Sequence, residues 1–207
     1  CKKIVATTNE PMAKEIEKIS KNENFIVYKG SNNNVLKRFY EATFNENLDY
    51  VVRLTSDCPL IDPSLIDDIV NYTISKNLDY CSNTLIETYP DGQDIEVFKF
   101  LSLKTAYKMA SKNSEIEHVT PYIKKHSSFY NEQLFISESY NFESDYSDIR
   151  MTVDEPKDLD CINILIKNCG KKASWLEYSK YIRLNIEKFS NQKIQRNQGY
   201  YNSLKND

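Results

Sequence analysis

Residues 49–70 read DYVVRLTSDCPLIDPSLIDDIV, and this stretch decides the fold. Its first part is an apolar run typical of a buried β-strand, and its last part carries apolar residues at helical spacing. Asp57 lies where the predicted strand meets a turn, and Pro63 lies at the predicted start of the helix. An aspartate in this position either caps the helix, as most such residues do, or binds a ligand.

Strand and helix alternate in the same way through the first eighty residues. The predicted strands cover 4–7, 24–30, 49–56 and 79–84, and the predicted helices between them cover 10–21, 32–47 and 62–77. The strands are nearly continuous apolar runs, which is typical of a parallel sheet buried by helices on both faces. The pattern therefore predicts an α/β fold. Further strands are predicted at 95–100 and within 132–142.

Composition excludes several classes of protein. The 207 residues carry a net charge of −3 with 40% hydrophobic residues, so a basic surface for nucleic acid or anionic membrane is not expected. No apolar run approaches the about 18 residues of a membrane span. Five cysteines without CxxC spacing predict reduced thiols in a cytoplasmic protein. With only two histidines, any metal is expected on carboxylates.

A second junction repeats the first. The stretch 149–160, IRMTVDEPKDLD, is predicted to end a strand on Asp154 and then to continue through Pro156 into a helix. In open α/β sheets ligands bind at the carboxyl ends of the strands. If the two strands are neighbours, Asp57 and Asp154 converge and favour Mg²⁺, which takes one or two protein carboxylates and substrate phosphates. Helix capping remains the alternative for each aspartate.

Six motifs in order resemble one family. NVLKRFYEA, VVRLTSDCPLIDP, YPDGQDIEVF, EHVTPYI, MTVDEPKDL and QRNQGYYNSLKND are similar to those of SpsF-type cytidylyltransferases, a branch of the CMP-sugar synthetase superfamily. The resemblance implies a Rossmann-like three-layer nucleotidyltransferase fold with a mostly parallel central sheet. It also implies transfer of CMP from CTP to a sugar or sugar acid with release of pyrophosphate, for surface polysaccharide biosynthesis, and a possible homodimer.

The resemblance assigns roles to individual residues. It implies that Asp57 and Asp154 are catalytic and bind Mg²⁺. The residues implied at the nucleotide are Thr7, Thr8, Arg38 and Arg53. Those implied at the sugar substrate are Gln93, Asp94, Glu96, Glu117 and His118. Two alternatives stay open: Glu96 instead pairs with a basic neighbour, and His118 is a structural histidine that anchors Tyr122 or a backbone carbonyl.

The chain also departs from that family. Its members open with a strand and a phosphate-binding loop of the kind QARMGSTRLPGK, whereas this sequence begins at what resembles the second strand. We therefore expect a strand-loop-helix unit of about 40 residues upstream of Cys1. Without that loop, a non-catalytic nucleotide-binding homologue becomes an alternative. A metal-dependent glycosyltransferase is a further alternative, although Asp57-Cys58-Pro59 replaces the D-x-D pair expected there.

The predicted domain organisation has two parts. Residues 1–170 form the nucleotidyltransferase domain, and residues 171–207 form a C-terminal helix and tail that pack on the same domain or on a partner subunit. Aromatic residues recur in this C-terminal segment. Their helical spacing favours a role in core packing.

Overall fold

The computed structural model describes residues 1–205 and residue 207. In chain order the elements are β1 (Ile4–Thr8), α1 (Ala13–Asn22), β2 (Ile26–Gly30), α2 (Val35–Thr43), β3 (Tyr50–Arg53), α3 (Pro63–Ser75), β4 (Tyr80–Ser82), β5 (Glu96–Lys99), α4 (Phe100–Met109), α5 (Asn113–His118), α6 (Pro121–Lys125), β6 (Ser137–Ser139), α7 (Pro156–Cys169), α8 (Trp175–Leu184) and α9 (Gln198–Leu204). The predicted α/β class and the alternation of strand and helix as far as β4 are confirmed.

The described chain divides into two compact units, each assembled from separate segments. The first unit contains Cys1–Tyr50, Lys99–Phe135 and Asn197–Asp207, and the second contains Val51–Phe98 and Ile136–Arg196. The two units are thus interleaved along the sequence. The predicted boundary between residues 170 and 171 separates two domains and is a different division from these compact units. It stays a prediction.

In the first unit, β1 and β2 pair in parallel, with a register that runs from Ile4 opposite Ile26 to Thr8 opposite Gly30. Helix α2 begins after Asn34, whose side chain accepts a hydrogen bond from the backbone N–H of Lys37 at 2.7 Å. Such a cap satisfies one of the unpaired N–H groups of the first turn. The α2 residue Tyr40 stacks on the ring of Tyr107 in α4, with centroids 4.3 Å apart.

The second unit is built on a four-stranded sheet in the order β3-β5-β4-β6. Strands β4 and β6 are parallel, whereas β4 and β5 are antiparallel. The antiparallel pair arises because the connection 83–95 contains no helix, and a parallel crossover usually needs one. The sheet that carries the candidate site is therefore mixed.

The prediction of a regular strand at the second junction is wrong. Residues 149–153 form only an isolated parallel bridge, between Arg150 and Asp91. The N–H of Met151 donates to the carbonyl of Asp91 at 2.7 Å, but the N–H of Val153 donates to the carbonyl of Asp57 at 2.8 Å. The segment changes partners within two residues, and this change prevents a continuous ladder.

The core of the second unit includes part of this segment. It contains Leu60, Ile149, Met151, Cys161, Ile162, Leu165, Tyr178, Ile182 and Phe189. Core packing predicted for the C-terminal aromatic residues is confirmed for Trp175, Tyr178 and Phe189, all of which are buried, whereas Tyr201 is 51% exposed. The packing of α7 and α8 thus fixes the backbone that carries Arg150 and Asp154.

All five cysteines are free thiols, and Cys58, Cys81 and Cys161 are buried, as expected for packing residues. Among the described residues, no helix combines the length and the apolar character that a membrane span requires.

Candidate active site

The two junctions lie side by side in the second unit. The carbonyl of Asp57 accepts hydrogen bonds from the N–H of Val153 at 2.8 Å and from the hydroxyl of Thr152 at 3.2 Å. The residue that follows Val153 is Asp154. Two aspartates that are 97 positions apart in the sequence are therefore carried by hydrogen-bonded backbone segments.

Neither aspartate caps the helix that follows it. The N-cap of α3 is Asp62, whose carboxylate accepts from the N–H of Ser64 at 2.9 Å. The N-cap of α7 is Glu155, one residue after Asp154. The capping alternative is thus excluded by position for both Asp57 and Asp154.

Asp57 occupies a short turn at the end of β3. The turn is closed by a hydrogen bond from the N–H of Cys58 to the carbonyl of Thr55 at 3.4 Å. The Asp57 carboxylate accepts a long contact of 3.6 Å from the Cys58 thiol, and no lysine or arginine in the described part of the chain pairs with it. It is half-buried, so the carboxylate carries a negative charge near the surface without a counter-ion.

Asp154 is held by Arg150, the centre of a buried ion-pair network. The guanidinium of Arg150 donates to both oxygens of Asp158, at 2.9 and 2.8 Å. It also donates to Asp154 at 2.8 Å and to Asp91 at 2.9 Å. The Arg150 side chain is only 6% exposed, whereas that of Asp154 is 55% exposed. One Asp154 oxygen is thus held by the buried guanidinium of Arg150, while the carboxylate remains accessible to solvent.

Two carboxylates of this network have pKa values that are shifted in opposite directions. Burial alone would raise the pKa of Asp158, but hydrogen bonds from Arg150, from Asn191 and from two backbone N–H groups hold that pKa well below its usual range. Burial raises the pKa of Asp91 to about 6, and the nearby charge of Asp94 adds to that shift. Asp158 is therefore the permanent counter-ion of Arg150, whereas Asp91 is the carboxylate of this cluster that holds a proton most readily.

A second arginine holds Asp94. The guanidinium of Arg196 donates to the Asp94 carboxylate at 2.6 Å and to the carbonyl of Tyr89 at 3.3 Å. It also lies 3.6 Å from a carboxylate oxygen of Glu87 and 3.7 Å from one of Asp91. Asp94, which was predicted at the substrate, thus belongs to the same charged cluster, with 27% of its side chain exposed.

Gln93 anchors a loop, which differs from the substrate contact predicted for it. Its side-chain oxygen accepts from the N–H of Asp62 and its amide donates to the carbonyl of Leu60, both at 2.9 Å. Gln93 has no exposed surface, so it cannot contact a ligand without rearrangement. Its role here is to tie the segment after Gly92 to the loop that follows Asp57.

Glu96 and Arg53 pair with each other. Arg53 donates to Glu96 at 2.5 Å, and the Tyr80 hydroxyl donates to the other oxygen of the same carboxylate at 2.7 Å. Glu96 is 3% exposed. The alternative in which Glu96 pairs with a basic neighbour is therefore confirmed. The two side chains predicted separately at the substrate and the nucleotide form one partly buried ion pair.

The first unit carries the other predicted nucleotide residues. Thr7 is buried, and the hydroxyl of Thr8 donates to Glu10 at 3.3 Å. Arg38 donates from one terminal nitrogen to the carbonyl of Ser31 at 2.8 Å, while its buried Nε has no hydrogen-bond partner. No carboxylate within the described residues pairs with Arg38, and burial lowers its pKa. An arginine in this state is suited to bind an anion.

Glu117 and His118 end helix α5 and contact the C-terminal helix. The Ser203 hydroxyl of α9 lies 2.9 Å from His118 Nε2 and donates to Glu117 at 2.6 Å. The ring of Tyr200 packs edge-on against the imidazole at 5.2 Å between centroids. These contacts join His118 to the C-terminal helix, a partner that neither structural alternative named.

Sequence reasoning missed Arg150, Asp158, Arg196 and Ser203. For Arg150 a signal existed, because a charged residue inside the apolar run IRMTV must find a partner if the run is buried. Arg196 and Ser203 gave no local signal, since their partners Asp94 and His118 lie 102 and 85 positions away.

The donor set at the junctions fits a magnesium ion only in part. Two carboxylates match the small number of protein ligands that Mg²⁺ takes when phosphates and water supply the rest. Within the residues that the structure describes, however, no group of three or more His, Cys, Asp or Glu side chains is arranged to hold a metal. The Asp57 and Asp154 pair is therefore suited to a metal that arrives with its nucleotide.

Comparison with known proteins identifies the family. A family model described as cytidylyltransferase matches residues 1–201. The chain is 36% identical to an uncharacterized protein of Methanocaldococcus jannaschii over 75% of its own length, and 28% identical to the spore coat polysaccharide biosynthesis protein SpsF of Bacillus subtilis over 82%. These matches span 61% and 68% of the two relatives, respectively.

A solved structure is similar as well. It is a cytidylyltransferase from Leptospira borgpetersenii serovar Hardjo-bovis, 30% identical in sequence, with a TM-score of 0.84. The similarity covers 93% of this chain and 80% of that one. The similarity therefore extends over nearly all the described residues.

Proposed function

Because this chain belongs to the cytidylyltransferase family, we propose that the protein transfers a cytidylyl group from CTP to a sugar or sugar acid and releases pyrophosphate. The observation that carries the proposal is the adjacency of Asp57 and Asp154, neither of which caps a helix. Carboxylates carried by hydrogen-bonded backbone segments, without a capping role, favour a bound cation and the phosphates that accompany it.

Asp57 and Asp154 would hold Mg²⁺, which would neutralise the phosphate charge and polarise the α-phosphoryl group. In the reaction, an acceptor hydroxyl forms a bond to the α-phosphorus and loses its proton to solvent, while the bond to pyrophosphate breaks. Arg150 fixes the orientation of Asp154, and Asp158 keeps Arg150 in place. Catalysis of this kind relies on positioning and electrostatics rather than on a protein nucleophile.

We expect Arg38 to bind a phosphate or ribose oxygen of the nucleotide, since its buried Nε has no partner and burial disfavours its charge. The side chains of Glu117 and His118 would contact the acceptor sugar. The relative named for spore coat polysaccharide biosynthesis supports a role in surface polysaccharide synthesis, and the free thiols support a reducing, cytoplasmic location.

The Asp57→Asn variant tests the metal pair. It should lower kcat by about a hundredfold or more, corresponding to about 3 kcal/mol of lost transition-state stabilisation. Pyrophosphate release from CTP, measured across a range of Mg²⁺ concentrations with a panel of sugars and sugar acids, gives the rate. The matched control is Asp67→Asn, the same change at an exposed position of α3.

Two results would contradict the proposal. One is unchanged pyrophosphate release in Asp57→Asn. The other is wild-type protein that releases no pyrophosphate with any acceptor but cleaves a nucleotide sugar, as the glycosyltransferase alternative requires.

Replacing Arg38 by glutamine should raise the KM for CTP by about tenfold and leave folding intact. A hydrogen bond from a charged group contributes about 1.5–3 kcal/mol to binding, and the variant breaks no ion pair that the described residues form. Steady-state kinetics at saturating acceptor, together with CTP binding by calorimetry, measure the effect. Lys37→Gln on the exposed side of α2 is the control. Equal KM values in the two variants would show that Arg38 does not belong to the nucleotide site.

A further inference from the structure

The end of helix α5 carries a strained backbone. Val119 has φ 73° and ψ −55° and is fully buried. The N–H of Thr120 donates to the carbonyl of His118 at 2.9 Å, so residues 118–120 form a γ-turn of the strained, positive-φ kind. Such a conformation is a clear outlier for a β-branched residue, costs about 1–3 kcal/mol, and persists only when its surroundings enforce it. The strain lies directly beside the Glu117–His118 pair.

Helix α9 packs against the helix that ends in this turn. Besides the contacts of Ser203, the carboxylate of Asp207 accepts from the N–H and the hydroxyl of Ser114 at 2.8 and 2.6 Å. Ser203 is 6% exposed and faces α5. The beginning and the end of α5 are therefore both bound by the residues that follow Asn197.

The hydrogen-bond chemistry of Ser203 has a definite direction. A hydroxyl has one proton, and Ser203 has two partners that only accept, the Glu117 carboxylate at 2.6 Å and the carbonyl of Gly199 at 3.2 Å. The Ser203 oxygen must then accept from His118, so Nε2 carries a proton. In the neutral ring the acceptor nitrogen is consequently Nδ1.

We propose that Ser203 is a positioning residue of the acceptor-sugar site, which it serves by fixing the Glu117 carboxylate and the Nε2-protonated form of His118. The inference rests on the proposed function, in which Glu117 and His118 contact the acceptor. It makes the C-terminal helix α9 a part of the site rather than a cover on its surface. The γ-turn at Val119 sets the direction of the backbone after α5, and Ser203 sets the orientation of the His118 ring.

The direct test is to observe the ring N–H proton of His118 by proton NMR, at a pH well above the ordinary histidine pKa of about 6.5. The chain has two histidines, so His126→Gln assigns the signal. We expect a downfield ring N–H signal protected from exchange in the wild type, its loss in Ser203→Ala, and its return in Ser203→Thr. Tyr201→Phe removes an exposed hydroxyl from the same helix and should leave the signal unchanged.

Kinetics supply the second readout. Ser203→Ala should raise the KM for the acceptor by about fivefold, as expected for one hydrogen bond of about 1 kcal/mol, with the KM for CTP unchanged. If Ser203→Ala does not fold, Glu117→Ala should weaken the same ring signal, because the Ser203 proton then keeps only the longer contact with the Gly199 carbonyl and can turn toward His118 Nε2. The Glu117 side chain is 56% exposed.

The possible outcomes separate this inference from the proposed function. A ring N–H unaffected by Ser203→Ala would overturn it, as would loss of the signal with an unchanged acceptor KM in an active enzyme. If the wild type shows no cytidylyl transfer while the ring signal still depends on Ser203, the geometry stands and the proposed function alone fails.

Discussion

Replacing Gly92 by alanine should lower the free energy of unfolding by about 3 kcal/mol or more, because backbone strain and steric overlap act together. Gly92 has φ +101°, and a Cβ there would lie 2.6 Å from the Met151 carbonyl carbon, 2.7 Å from its oxygen and 2.8 Å from the Thr152 nitrogen. These neighbours are backbone atoms of a segment that is held on both sides, by the N–H of Met151 on the Asp91 carbonyl and by the N–H of Val153 on the Asp57 carbonyl, so they cannot move without opening the site.

Urea unfolding followed by tryptophan fluorescence measures this effect, since Trp175 is the single tryptophan and is buried. Gly199→Ala is the matched control. Nothing lies within 4 Å of a Cβ built at Gly199, and alanine is the better helix former by about 1 kcal/mol. A loss of less than about 1 kcal/mol in Gly92→Ala would show that the segment 149–153 adapts more easily than its hydrogen bonds indicate.

Arg150→Met should cost about 3–5 kcal/mol of stability, the usual consequence of leaving a buried charge without its partner. Asp158 has no exposed surface and would lose two charged hydrogen bonds at once. Arg150→Lys should recover little, because an ammonium cannot donate to three carboxylates with the geometry of a guanidinium. Arg183→Met, which breaks the exposed pair with Asp148, should cost less than about 1 kcal/mol.

The same variant has a defined pH dependence. The folded-state pKa of Asp158 is depressed, so its stabilisation is present above the unfolded pKa of about 3.9 and is lost as the pH falls through the folded value. The difference in unfolding free energy between wild type and Arg150→Met should therefore shrink as the pH falls below about 4. A difference that stays constant down to acid pH would show that packing, rather than charge, dominates.

The sequence was sufficient for features that depend on local pattern. The alternation of strand and helix and the two aspartates beyond apolar runs could be predicted, because burial on both faces leaves continuous apolar strands. The resemblance assigned Asp94 and Glu96 to the substrate site, but it could not show that Glu96 pairs with Arg53 and Tyr80. Likewise, nothing near Gln93 indicated that its amide would anchor Leu60 and Asp62, since such pairings are set by tertiary packing.

The interleaving of the two units has a consequence for folding. The chain passes between them after residues 50, 98, 135 and 196, so neither unit corresponds to a contiguous fragment that could be expressed alone. During synthesis, strands β1 and β2 of the first unit are made early. The contacts of Ser203 with α5 form only after more than 80 residues have been added beyond His118. Such long-range closure slows folding and exposes unfinished surfaces. We expect folding to be limited by this last closure, with Glu117 and His118 acquiring their final geometry in the same step.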